Sequence, residues 1–217
     1  MNSAELRART IAAVRAHPSL THCQFRARAI LLLAGSVAVS LGIFFLAGGL
    51  RLGPRTESLL AMTMGGALAI ALLSVLVGIH RKRSMLARPG WQLALLVASV
   101  PVALLVWKIA WSAHYPGMMV NWPARPGLRC FALTLALGIA PLVSLVSLYR
   151  HSEPLRPGLV GAAMGTVVAA VAWVLLELWC PVGYPRHLLI GHVAPGLLLA
   201  LLGVILGRAL MAMRNRR

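Results

Sequence analysis

Cys130 and Cys180 are the residues in this sequence best suited to chemistry. A thiolate can be oxidised, form a disulfide or bind a soft metal. Cysteine can also simply fill space in helix packing. Around Cys180 the types are unusually dense: Glu177, Cys180, Pro181, Pro185, Arg186 and His187 fall within twelve residues of an otherwise apolar sequence. Glu177 lies three residues before Cys180, so one helical turn puts both on one face. An acid inside a membrane span calls for a partner. Lys108, Arg186 and His187 are the choices. Lys108 is the simplest, because it lies at nearly the same depth. The alternative is an interfacial Glu177 that reaches headgroup water.

A metal site built from Cys130, Cys180 and His187 is conceivable, since soft and borderline ligands suit Zn or Cu(I). His192 is five residues beyond His187. On an α-helix that spacing puts the two rings on different faces, so one helix is not expected to offer both to one ion. No cofactor motif is evident, and no C-x-x-C pair marks a thiol oxidoreductase.

These residues must be positioned by membrane helices. The chain has 217 residues, 59% hydrophobic and only 12% charged. That composition belongs to polytopic membrane proteins. Six runs are long enough to cross a bilayer: Ala29 to Leu50, Leu59 to Ile79, Gln92 to Ser112, Leu128 to Tyr149, Pro157 to Trp179 and Leu188 to Met213. They do not alternate as barrel strands do. The expected fold is therefore all-α, a bundle of six transmembrane helices.

The net charge of +17 lies in short clusters between these runs. No basic-aromatic module accompanies it, which argues against direct contact with nucleic acid. The clusters instead set topology. Arg7, Arg9, Arg15, Arg26, Arg28, Arg81, Lys82, Arg83, Arg88, Arg150, Arg156, Arg208, Arg214, Arg216 and Arg217 would share one side, fifteen in all. Arg51, Arg55, Arg125, Arg129 and Arg186 would face the other, and Lys108 lies within a span. Fifteen against five puts both termini in the cytoplasm. Cys130 and Cys180 then sit at the outer rim, facing an oxidising periplasm if the membrane is a bacterial inner one. A disulfide between them is feasible if their Cα atoms approach to about 6 Å. Cys23 lies on the reducing side.

Residues 1–28 form a polar, basic leader; the apolar run after it is too long for a signal-peptide h-region and no small-x-small cleavage site follows, so the leader is expected to stay attached. Leu6, Ile11 and Val14 would make a narrow apolar stripe on a short helix. It is either a surface leader or a docking helix for a cytoplasmic partner. Residues 214–217 form a basic tail. Trp111, Trp122 and Trp179 fall where an aromatic belt belongs, with His114 and Tyr115 nearby. Pro101, Pro141 and Pro195 interrupt spans and should kink them. Gly161-x3-Gly165 and Gly203-x3-Gly207 offer faces for close helix contact, within one chain rather than between two.

Taken together, the leader, the six spans, Arg129-Cys130 at the start of the fourth span and Cys180-Pro181 through Pro185 to His187 resemble the NrsF family. These are six-span bacterial membrane proteins that act as anti-sigma factors for extracytoplasmic-function sigma factors. The family has an acidic or polar pair after Cys-Pro; Val182-Gly183-Tyr184 stands there in this chain. The resemblance implies a non-enzymatic regulator of the bacterial inner membrane. Its leader would hold a sigma factor, and a redox or thiol-reactive envelope signal would be read at Cys130 and Cys180. The competing expectations are a membrane thiol-disulfide or quinone-linked oxidoreductase and a small transporter. Mid-span polar groups, which a transporter would want, are limited to scattered Ser and Thr.

Overall fold

The computed structural model describes Glu5 and residues 22–51, 55–79, 89–114, 126–150 and 156–211. The expected docking residues Leu6, Ile11 and Val14 lie outside the described residues, as do Tyr115, Trp122 and the tail. The chain divides into two units, Met1–Leu32 and Leu33–Arg217. In the first, Cys23 is exposed at the start of a helix. All that follows concerns the second.

The helices are α1 (His22–Leu46), α2 (Glu57–Ile79), α3 (Gly90–Ala113), α4 (Leu128–Tyr149), α5 (Pro157–Trp179), α6 (Pro185–Leu188) and α7 (Ala194–Met211). A π-helical turn, Leu189–Val193, joins α6 to α7, so these three pieces make one continuous last span. Among the described residues there are six helical stretches long and apolar enough to cross a membrane, and no strand. Lipid cannot satisfy backbone groups, so each span must close its own hydrogen bonds.

The ends of these helices follow local chemistry. α1 stops at Gly48 and Gly49, both at positive φ, and the Gly49 amide turns back to Phe44 O at 3.0 Å. Left-handed glycines are the usual way to end a helix. Gly127 caps α4 at φ 88°, and Pro157 opens α5, where its missing N–H is harmless. α5 ends at Cys180, because Pro181 cannot continue the ladder.

The interior is set by small residues. α5 packs most extensively on α7. A Cβ added to Gly161 would lie 1.9 Å from Gly203 O, and one added to Gly165 would lie 2.2 Å from Leu199 O. The backbones therefore touch directly, and the glycine pairs act within one chain. α5 is the central helix, with Val160, Ala163, Met164, Val167, Val168 and Trp173 in one core with α2, α3, α4 and α7. A second, smaller core joins Phe44, Leu133, Leu137, Leu176 and Val182 to Cys130 and Cys180.

Pro101 and Pro141 lie inside α3 and α4. Pro195 has a different role: it is the second residue of α7, directly after the π turn. It has no N–H for the carbonyl of Gly191, four residues earlier. Thr134 Oγ1 of α4 lies 3.3 Å from that carbonyl, but its single proton is shared with Cys130 O, which is closer at 2.8 Å.

Candidate functional site: a buried Cys2His2 cluster

Cys130 is brought to one end of the bundle by the first turn of α4, where the backbone runs unusually close to the last span. Gly127 is at positive φ, and a Cβ there would lie 3.0 Å from both Gly191 N and His187 O. Gly191 is equally tight: its own Cβ would lie 3.0 Å from the Cβ of Cys130. Cys180 arrives as the C-cap of α5, its amide bonded to Leu176 O at 2.7 Å. His187 comes from α6.

These three meet. His187 Nε2 lies 3.4 Å from Cys130 Sγ and 3.2 Å from Cys180 Sγ. Both thiols are free and buried, and so is the ring of His187.

His192 joins them, and here the sequence expectation is corrected. The rings of His187 and His192 have centroids 5.7 Å apart, on one side of the last span. The physical reason is the π turn: residues five apart stack along it, as they do not on an α-helix. The ligand atoms of Cys130, Cys180, His187 and His192 all lie within 4.8 Å of one another, and all four residues are buried. The signal that would have found His192 was Pro195, which removes the α-ladder bond to Gly191 and invites a π turn upstream.

A charged pair sits beside the cluster. Lys108 and Glu177 form a salt bridge, each 1% exposed. Glu177 also accepts from Trp173 Nε1 at 2.9 Å. Trp173 in turn packs edge-on against His192, with centroids 4.9 Å apart. Glu177 is therefore tied to Lys108, and one of its links to the cluster runs through Trp173. Arg186 is exposed and takes no part; Pro181 and Pro185 flank the segment and are half-buried.

Arg55 was not singled out in the sequence, where nothing but its charge marks it. It is 5% exposed and donates to the backbone carbonyl of Glu177, with a second contact to Leu178 O at 3.4 Å. Arg51 N donates to Leu178 O at 2.9 Å. Together they satisfy carbonyls that the end of α5 would leave bare. Trp179 does more than anchor: its Nε1 donates to Ala47 O at 2.9 Å, and Arg51 lies 4.5 Å over its ring. Trp111 is half-buried and His114 is exposed, bonded to Ala110 O.

Six spans and a buried thiol pair at one end narrow the choice of families. The family model described as negative regulator of sigma F, NrsF, matches residues 13–212. The chain belongs to the NrsF family. No curated protein and no solved structure matches it. The match covers nearly the whole chain and carries a membrane-bound anti-sigma-factor role, with a sigma factor as partner. This family is regulatory and not catalytic, and its member here is a multi-pass inner-membrane protein.

Proposed function

We propose that this protein holds an extracytoplasmic-function sigma factor at the inner membrane through its cytoplasmic segment, residues 1–28, and releases it when an envelope signal acts on Cys130 and Cys180. The observation that carries the reading is the convergence of two cysteines fifty residues apart on one histidine nitrogen, at 3.4 and 3.2 Å. The excess of Lys and Arg in alternate loops supports a periplasmic position for that end of the bundle and a cytoplasmic one for the leader. Leu6, Ile11 and Val14 are the apolar residues of that segment we propose for contact with the sigma factor.

The test is an affinity pull-down from native membranes, read by mass spectrometry, with a version lacking residues 1–28 beside the full chain. A sigma factor recovered only with the full chain supports the reading. Its absence from both, with the bundle intact, would overturn it. The thiols are tested separately. Cys130→Ser with Cys180→Ser should leave insertion and sigma-factor capture intact and abolish release. A double variant that responds like the parent removes the thiols from the mechanism.

A further inference from the structure

We propose that His192 is the fourth donor of a tetrahedral metal centre with Cys130, Cys180 and His187, and that it makes this centre selective for a divalent d10 ion, Zn2+ or Cd2+, over Cu+. The inference rests on the reading above only in taking the thiol pair as the place where signals act.

The first argument is the state of His192. It is 1% exposed, and among the described residues neither ring nitrogen has a hydrogen-bond partner. Buried polar groups are almost always satisfied, so such an exception needs a reason. Water does not supply one easily. The crevice that His192 also lines is walled largely by apolar side chains, among them Val100, Pro101, Leu104, Val193 and Leu197. A nitrogen lone pair held against two sulfurs and a second imidazole is the arrangement of a ligand.

The second argument is geometric. Zn–S bonds are about 2.3 Å and Zn–N bonds about 2.0–2.1 Å, which makes the edges of a tetrahedron roughly 3.3–3.8 Å. The His187 nitrogen already stands 3.2 and 3.4 Å from the two sulfurs, and no pair among the four donors exceeds 4.8 Å. Closing on an ion therefore needs side-chain adjustments of about 1 Å or less. Three donors would leave an open position; four close the shell.

The third argument is charge. Binding releases one proton from each thiol, and each neutral imidazole gives a lone pair. Two thiolates then cancel a divalent ion, and the buried centre is neutral. With a monovalent ion it would keep one negative charge in a low-dielectric site, which burial disfavours. Of the buried cations near it, Lys108 is paired with Glu177, and the Arg55 guanidinium, which is close enough to attract both Glu177 and Cys180, donates to the main-chain carbonyls of Arg51 and Glu177. Two thiolates alone, without His192, suit a two-coordinate Cu+ well.

The experiment uses the full chain in detergent, with Zn2+, Cd2+, Co2+ and Cu+ each added alone against a chromophoric competitor. The wild type should bind one Zn2+ or Cd2+ per chain, and its Co2+ form should show the intense visible bands of a tetrahedral site with thiolate ligands. His192→Ala and the less disruptive His192→Gln should weaken Zn2+ and Cd2+ at least about 100-fold, since even outer-shell partners are worth 10–100-fold. Both should keep Cu+ binding within a few-fold, which also reports an intact thiol pair. His192 variants that hold Zn2+ like the wild type would overturn the proposal. So would wild-type Zn2+ binding no tighter than that of the C130S/C180S chain, or a weak, octahedral Co2+ spectrum. If neither His192 variant folds, the wild-type Co2+ spectrum decides. Sigma-factor capture without metal binding would sink this inference and leave the proposed function standing; metal binding without capture would do the reverse.

Discussion

α1 and α5 are comparably apolar along their length, yet 17% of the α1 span and 72% of the α5 span is buried within the protein. In water such equal greasiness would send both helices inside. In lipid the surroundings are as apolar as leucine, and hydrophobicity no longer sorts inside from outside. What sorts them is size and polarity. α5 carries Gly161, Ala162, Ala163 and Gly165 where α7 crosses, and Glu177 where Lys108 waits. From Leu33 onward, α1 turns Val37, Phe45 and Leu46 outward. It is held by a few polar contacts, including Ser40 Oγ to Leu137 O at 2.8 Å and the Trp179 indole to Ala47 O.

The comparison breaks most sharply at the ion pair. Glu177→Gln leaves the Lys108 ammonium buried beside a neutral amide, and breaking such a pair costs about 3–5 kcal/mol. Thermal unfolding in detergent should show a large loss, and adding Lys108→Met should restore much of it. An unchanged midpoint for the single variant would mean that Glu177 does not hold the bundle. The glycines give the next largest effect. Gly161→Ala drives a methyl into Gly203 O and should cost about 1–3 kcal/mol. Gly42→Ala, with nothing within 4 Å of the new Cβ, should be neutral or slightly stabilising. Equal effects at the two positions would erase the distinction between the helices. Smallest is Trp179→Phe, which removes one hydrogen bond to the end of α1 and should cost about 1 kcal/mol. Cross-linking of α1 to α5 through introduced cysteines would show whether that end loosens.

Much of this architecture is legible in the sequence, for a simple reason: six uninterrupted apolar runs have few other ways to exist. Placing Cys130, Cys180 and His187 at one end needs only the alternation of spans, and placing Lys108 level with Glu177 needs only counting residues along two of them. The burial order of the helices is not legible from hydropathy, because the runs are nearly uniform; the glycine pairs are its one visible trace. His192 is hidden for a sharper reason. Helical periodicity assumes 3.6 residues per turn, and the π turn at Leu189–Val193 changes that count where it matters. Arg55 is hidden because a loop charge carries no mark of which carbonyl it will meet.

The Lys108–Glu177 pair also has a history in time. Synthesis runs from the N-terminus, so the ammonium is made 69 residues ahead of its counter-charge. At about 5–20 residues per second, that gap lasts roughly 3–14 s. During it α3 must wait in the membrane with a bare cation. Lys108 stands five residues before the end of α3, close enough for its long stem to lift the charge toward the headgroups. Only the arrival of α5 supplies the counter-charge, so the contact that holds the finished bundle cannot form before that helix is made.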